Sequence, residues 1–407
     1  LVHRATLLEA AGDGKRGGRL SGATASQGLP SNIRKGLILA VICRPPSHDK
    51  RPPHTKRQAA GFTIQELVMS KMRAMVVAKP GAGLTMEERD LPEPRLHEVR
   101  VKVQACGVCH SDSITVEGIM PGLRYPRIPG HEVIGVIEAI GPDVEGWAVG
   151  ARVGVGWFGG ACGYCGNCRR GDAFACENIR GATGVTRDGG YATHMLARAS
   201  ALARVPDALD SVESAPLLCA GITTFNALRH CGAGPGDLVA IHGVGGLGHL
   251  GIQYAARQGF RTVAVNRGRD KEQLARSLGA HDYIDSAADD PAKKLQAMGG
   301  AKAIIATVTN AGAMQAIAGG LGPNGILMVI GAVGALTVDS LDLLNKRAAV
   351  KGWYSGTSAD SEDTLLFSQL HEIASMNEVF PLEKAQEAYD RMMSGKARFR
   401  VVLKMEG

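Results

Sequence analysis

At 407 residues the chain has room for two or three domains, each with its own hydrophobic core. With 45% hydrophobic and 21% charged residues it is neither disordered throughout nor fibrous, and its apolar run Leu37 to Cys43 is far shorter than the ~20 residues that span a bilayer, so no membrane partner is expected. The net charge of +7 sits in residues 1–68, which hold 11 Lys and Arg against 4 Asp and Glu; the rest balances at 35 of each, which argues against a nucleic-acid-binding body.

Residues 1–68 carry Gly and Ser clusters, the pairs Pro45-Pro46 and Pro52-Pro53, and no sustained hydrophobic period, and are read as a disordered basic tail. Sparse acidic residues would suit a basic arm or a transit peptide. The favoured reading is a fragment or translated upstream sequence, because Leu1 stands where a Met would start the chain and Met69 to Met72 opens directly into a strand-like run.

Further along come Gly107-Val108-Cys109-His110-Ser111-Asp112 and then Pro129-Gly130-His131-Glu132. A lone Cys or His is more often packed in a core than bound to a metal. Next is Cys162, Cys165, Cys168 and Cys176 in a C-x2-C-x2-C-x7-C spacing, with glycines that let a short lobe fold back so that four thiolates reach one tetrahedral ion. Such a site is closed and structural. Nine cysteines in all, an odd and clustered set, fit thiolates on metal better than a disulfide framework. Cys219 follows in Leu217-Leu218-Cys219-Ala220-Gly221, and with Cys109 and His131 it would make a two-thiolate, one-imidazole set whose fourth position stays open, the arrangement of a catalytic zinc.

The run Asp237 to His242 predicts a buried strand, followed by the turn Gly243-Val244-Gly245-Gly246-Leu247-Gly248 and a helix through about Gln258. In that context the glycines permit close approach to a pyrophosphate, and the helix start offers N–H groups and a positive dipole end. Strands and helices then alternate: Arg261 to Asn266, Lys271 to Leu278, Tyr283 to Asp285, Ala292 to Met298, Ala303 to Val308, Met314 to Ala318 and Ile326 to Ile330. The pattern predicts an α/β, doubly wound parallel sheet.

In order and spacing, G-V-C-H-S-D, P-G-H-E, the four-cysteine lobe, L-L-C-A-G-I-T-T and G-V-G-G-L-G resemble the zinc-dependent alcohol dehydrogenases of the medium-chain dehydrogenase family, over about Met69 to Met405. The resemblance implies a β-rich GroES-like catalytic domain, 69–218 and 353–407, around a Rossmann domain, 219–352, assembled as homodimers or homotetramers, and a cytoplasmic protein. It implies two zinc ions per chain: a structural one on the cysteine lobe, and a catalytic one on Cys109, His131 and Cys219 with Asp112 and Glu132 behind the ligands. Ser111 would start the proton relay, Thr223 would touch the nicotinamide, and His110 and Arg400 would approach the pyrophosphate. Many relatives carry a His five residues after the first zinc cysteine, where this chain has Ile114. Trp157 and Phe158 match positions that line the family's pocket, and as apolar residues serve a core equally well. A primary alcohol or aldehyde with an apolar tail, an aromatic one included, is the expected substrate.

NADP(H) is the expected cofactor, with NAD(H) as the alternative. The strand ending at Asn266 lacks the Asp or Glu that would accept hydrogen bonds from the ribose and repel a 2′-phosphate, and Arg267, Arg269 and Lys271 follow. Two rival readings are a zinc-free quinone reductase of the same superfamily and a zinc-ribbon nucleic-acid-binding protein.

Overall fold

The computed structural model describes residues 70–179 and 181–406; the segment read as a tail, residues 1–68, lies outside the described residues. Strand Glu98–Val108 sets out the logic of the first large sheet. Val99, Val101 and Val103 point inward while Lys102 and Gln104 face solvent, and from Ala105 to Val108 every residue is buried as the strand runs under the site. Around it lie, in order, Asn377–Pro381, Arg400–Lys404, Glu98–Val108, Val133–Ile140, Arg152–Val155 and Leu202–Arg204, with His194–Arg198 also pairing to the central strand. All these pairs are antiparallel except Asn377–Pro381 with Arg400–Lys404. A separate hairpin pairs Lys71–Val76 with Thr85–Asp90.

The second sheet has six parallel strands in the order Asp282–Asp285, Arg261–Asn266, Leu238–His242, Ala301–Ala306, Leu321–Val329, Ala349–Gly352. In chain order that is third, second, first, fourth, fifth, sixth, the doubly wound arrangement whose switch point lies between the first and fourth strands. Its first strand is buried along its whole length, as a strand covered by helices on both faces must be. Expected strands and helices fall on observed ones with shifted ends. The strand expected over 303–308 runs Ala301–Ala306, and the one expected over 326–330 is longer, Leu321–Val329. Such ends depend on pairing partners distant in sequence, so local pattern cannot set them.

One hydrophobic cluster reaches both sheets, joining Ala105, Ile134 and Val402 to Leu250, Ile305 and Met328. The crevice beside it holds the site. Among the described residues no helix is long and apolar enough to cross a membrane.

Candidate active site

Cys109 follows the central strand of the first sheet, His131 stands two residues before Val133–Ile140, and Cys219 lies between the turn Ala215–Leu218 and helix Ala220–Arg229. Antiparallel pairing of Cys106 with Val133 sets the first two side by side. The donor atoms of Cys109, His131 and Cys219, with a carboxylate oxygen of Glu132, lie within 4.8 Å of one another. The two sulfurs are 3.7 Å apart, close to the ~3.8 Å edge of a tetrahedron with ~2.3 Å arms. His131 Nδ1 is bonded to Asp112 Oδ1 at 3.0 Å, which turns Nε2 inward; that nitrogen is buried and has no hydrogen-bond partner among the described residues. A buried nitrogen left unpaired beside two thiols is costly, and a zinc ion satisfies all of them at once, so the residues fit the metal. The hydrogen bond it receives from Cys219 holds the Cys109 thiol well below its ordinary range, with His131 and the charge of Arg400 adding to the effect. Donating that bond, together with burial, pushes Cys219 up.

Asp112 is the hub behind the ligands. Its Oδ2 accepts from Cys109 N and from the Tyr191 hydroxyl, each at 2.8 Å, and its Oδ1 accepts from Gly130 N at 3.2 Å. Tyr191 is fully buried, 79 residues away in sequence, and no local signal marks it. Glu132, expected behind the ligands, offers its carboxylate among the donors themselves, and its Oε2 is buried without a hydrogen-bond partner among the described residues. Gly107 makes the room, since a Cβ there would overlap that carboxylate. The other Glu132 oxygen forms a buried ion pair with Arg400. Burial pushes Glu132 up to about 8 against the pull of that guanidinium. Arg400, expected at the pyrophosphate, is thus engaged with Glu132, while its Nη1 lies 3.2 Å from where a Cβ on Gly246 would stand.

The four lobe cysteines also bring their sulfurs within 4.8 Å of one another. Amides are aimed at them: Cys165 N at Cys162 Sγ (3.4 Å), Glu177 N at Cys165 Sγ (3.5 Å), and Cys162 N and Ile179 N at Cys176 Sγ (3.4 and 3.3 Å). The amides of Cys168 and Glu177 are the main reason Cys165 is held below its ordinary range; at Cys162 and Cys176 burial pushes up, and other backbone amides, of Tyr164 and Cys165 at the first and of Cys162, Ile179 and Asn178 at the second, outweigh it. Burial pushes Cys168 up to about 12. N–H groups pointing at sulfur stabilise thiolates, the form a metal requires.

At the switch point, Gly243 has φ +103° and a Cβ on Gly248 would overlap the Gly243 carbonyl, so the turn demands both glycines. It borders a cavity of about 630 Å³ that also reaches Gly245, Asn266, Arg267 and Lys271. Asn266 Oδ1 accepts from Val244 N at 3.2 Å, tying the strand end to the turn. Arg267 makes no salt bridge among the described residues. Of the other expected cations, Arg269 pairs with Glu272 at 2.8 Å and Lys271 Nζ donates to the Val244 carbonyl at 2.8 Å.

A second cavity, about 590 Å³, opens over Cys109 and Cys219 and takes in His110, Ser111, Ile114, Trp157, Thr223, Leu247 and Arg400. It therefore brings two of the expected metal ligands, Cys109 and Cys219, the expected hydroxyl relay and Leu247 of the glycine turn to one space. Thr223 Oγ1 accepts from Ser355 N at 3.0 Å, and the Trp157 ring meets His131 edge-on at 4.9 Å. Tyr354 also lines this cavity and has no sequence signal of its own.

Residues 95–207 match the family model of the alcohol dehydrogenase GroES-like domain, and residues 246–369 that of the zinc-binding dehydrogenases. The chain is 44% identical over 336 residues to alcohol dehydrogenase patD of Penicillium expansum, spanning 83% of this chain and 98% of that one. To an alcohol dehydrogenase of Geobacillus stearothermophilus it is 37% identical over 338 residues, 82% of this chain and 100% of that one. Among solved structures, the cobalt- and zinc-bound thermostable alcohol dehydrogenase of Pyrobaculum aerophilum superposes with a TM-score of 0.74 at 26% identity, covering 82% of this chain and 100% of that one.

Proposed function

The chain belongs to the zinc-type alcohol dehydrogenases of the medium-chain dehydrogenase family, and within that family we propose the metal, cofactor and substrate it uses. It is an oxidoreductase of small-molecule alcohols. We assign a catalytic zinc to Cys109, His131 and Cys219 and a structural zinc to Cys162, Cys165, Cys168 and Cys176. The observation that carries this reading is the buried His131 Nε2, without a hydrogen-bond partner among the described residues, beside two thiols that line a cavity which also reaches Leu247 of the glycine turn. The zinc-free quinone reductase reading leaves that nitrogen buried and unsatisfied.

When bound, the metal supplies Lewis acidity toward the alcohol oxygen and the nicotinamide accepts the hydride. The chain does the rest. Asp112 fixes the His131 tautomer, Ser111 accepts the hydroxyl proton, and Trp157 with Ile114 keeps water from the reacting carbon. With Ile114 where many relatives carry a His, the proton leaves Ser111 by water or by a ribose hydroxyl. Arg267, without a carboxylate partner among the described residues at the edge of the 630 Å³ cavity, and the neutral Asn266 support NADP(H) over NAD(H).

We divide the chain into a catalytic domain, 69–218 and 353–407, and a cofactor domain, 219–352. Edge strand Ala349–Gly352, exposed along its length, supports assembly as a homodimer or homotetramer. The eight described cysteines are all free of disulfides, which supports a reducing compartment such as the cytoplasm. Metal analysis of the purified protein, joined to a panel of alcohols and aldehydes with each nicotinamide cofactor, tests the reading. Two zinc ions and alcohol-dependent NADP+ reduction are expected; full turnover by metal-free protein would overturn it.

A further inference from the structure

Two arginines beside the start of the cysteine lobe have no acceptor among the described residues. Arg198 closes the strand His194–Arg198, and Arg187 stands in the connection that precedes it. Their stems pack on consecutive glycines: Arg187 Cδ lies 3.7 Å from where a Cβ on Gly159 would stand, and Arg198 Cδ 3.1 Å from that of Gly160. Both side chains are partly buried, yet among the described residues neither makes a salt bridge or a side-chain hydrogen bond, and Arg198 Nε is sealed from solvent. Burial and the charge of Arg198 hold Arg187 below its ordinary range, with Arg127 adding to them and Glu98 pulling the other way. The acids nearby are engaged elsewhere. Asp188 accepts from Arg127 at 2.7 Å and from Ile128 N at 3.1 Å, and Glu93 pairs with Arg100 at 2.9 Å. Glu98, opposite Arg198 in the sheet register, accepts from Arg95 N at 3.4 Å and forms a salt bridge with neither arginine. A guanidinium taken partly out of water without an acceptor costs free energy that an anion would recover.

We propose that Arg187 and Arg198 form a second binding site, for a phosphate-class oxyanion, taken either as inorganic phosphate or on a small phosphomonoester. Arg187 and Arg127 line a cavity of about 720 Å³, which has room for the rest of such an ester. Neither Arg187 nor Arg198 lines the cavity over Cys109 or the one at the glycine turn, so the site stands apart from the proposed chemistry. Two planar guanidinium forks suit a doubly charged tetrahedral ligand, which has oxygens for both, better than a carboxylate with two oxygens in all. Bound there, the anion ties the end of strand His194–Arg198 to Gly159 and Gly160, the residues that lead into the cysteine lobe.

The test titrates inorganic phosphate, and separately glycerol 3-phosphate, by calorimetry into the zinc-loaded full chain saturated with nicotinamide cofactor, which keeps the glycine turn occupied. One anion per chain is expected in the wild type, and Arg187→Gln and Arg198→Gln should each weaken it about tenfold through the loss of one charge-assisted contact. The tighter of the two ligands names the source. In phosphate-free buffer each variant should unfold at a temperature equal to or above that of the wild type, since an unpaired charge has been removed, and added phosphate should raise the wild type more than either variant. Absence of binding by both ligands, or equal binding in the wild type and both variants, would overturn the site. A lower unfolding temperature or a smaller assembly in both variants without phosphate would overturn it as well, because the arginines would then be pairing with protein, such as a second copy of the chain.

Discussion

The Tyr191 hydroxyl reaches the proposed metal site only through Asp112, yet Asp112 has three other donors to satisfy at once. Tyr191→Phe removes one charge-assisted hydrogen bond with almost no change in volume. Asp112 then holds His131 less firmly, and affinity at the Cys109 site should fall about 10- to 100-fold in chelator competition, with the lobe metal retained. Equal affinity in the two proteins would show that the backbone donors Cys109 N and Gly130 N hold Asp112 by themselves. Asn266 makes the second residue-scale prediction. Its side-chain oxygen already accepts from Val244 N, so Asn266→Asp keeps that bond while placing a negative charge where a 2′-phosphate would sit. Steady-state kinetics should show the preference move toward NAD; a ratio that does not move would separate Asn266 from cofactor choice.

The two elements proposed to bind metal should respond differently to the same Cys→Ser change. The lobe from Cys162 to Cys176 has one short helix, Gly166–Arg169, and its cysteines and the amides aimed at them supply most of its order. Cys165→Ser should therefore release one zinc per chain and lower the unfolding temperature by several degrees, because a structural zinc contributes folding free energy directly. Cys109, by contrast, sits at the end of an eleven-residue strand paired on both sides. Cys109→Ser should release one zinc and abolish alcohol oxidation while the unfolding temperature changes little. Normal turnover by Cys109→Ser would remove it from the catalytic set.

At the scale of the whole molecule, two buried histidines outside the proposed metal cluster tie stability to pH. His249 is wholly buried, bonded through Nδ1 to Gly245 O and stacked on Phe399, and His242 is buried with no hydrogen-bond partner for its Nδ1 among the described residues. Burial holds each down to about 4. The unfolded chain binds these protons near pH 6.5 and the folded chain does not, so stability falls as pH drops from 6.5 toward 4, by roughly 3 kcal/mol apiece once both forms of the chain would be charged. Urea unfolding at pH 7 and pH 5 should give a lower midpoint at pH 5, and His249→Phe should lessen the difference. Equal midpoints would mean that neither ring is desolvated as the packing implies.

Whatever depends on short range is legible in the sequence of this protein. The four-cysteine spacing spans 15 residues, the glycine turn is contiguous with its strand and helix, and five of the six strands of the parallel sheet follow from alternating apolar runs, all but Ala349–Gly352, because local sterics and hydrophobic period act over a few residues. The family's order of motifs also linked Cys109, His131 and Cys219 across more than a hundred residues, although only the folded chain brings their donor atoms together. The tertiary structure alone decided that Arg400 pairs with Glu132, that Tyr191 backs Asp112, that Lys271 is taken by the Val244 carbonyl, and that Tyr354 and Phe174 face each other near the pocket. Those pairings join residues as much as 268 positions apart, and a side chain's partner at such separation is chosen by sheet register and by the desolvation cost of leaving a buried group unpaired, neither of which leaves a mark in the neighbouring residues.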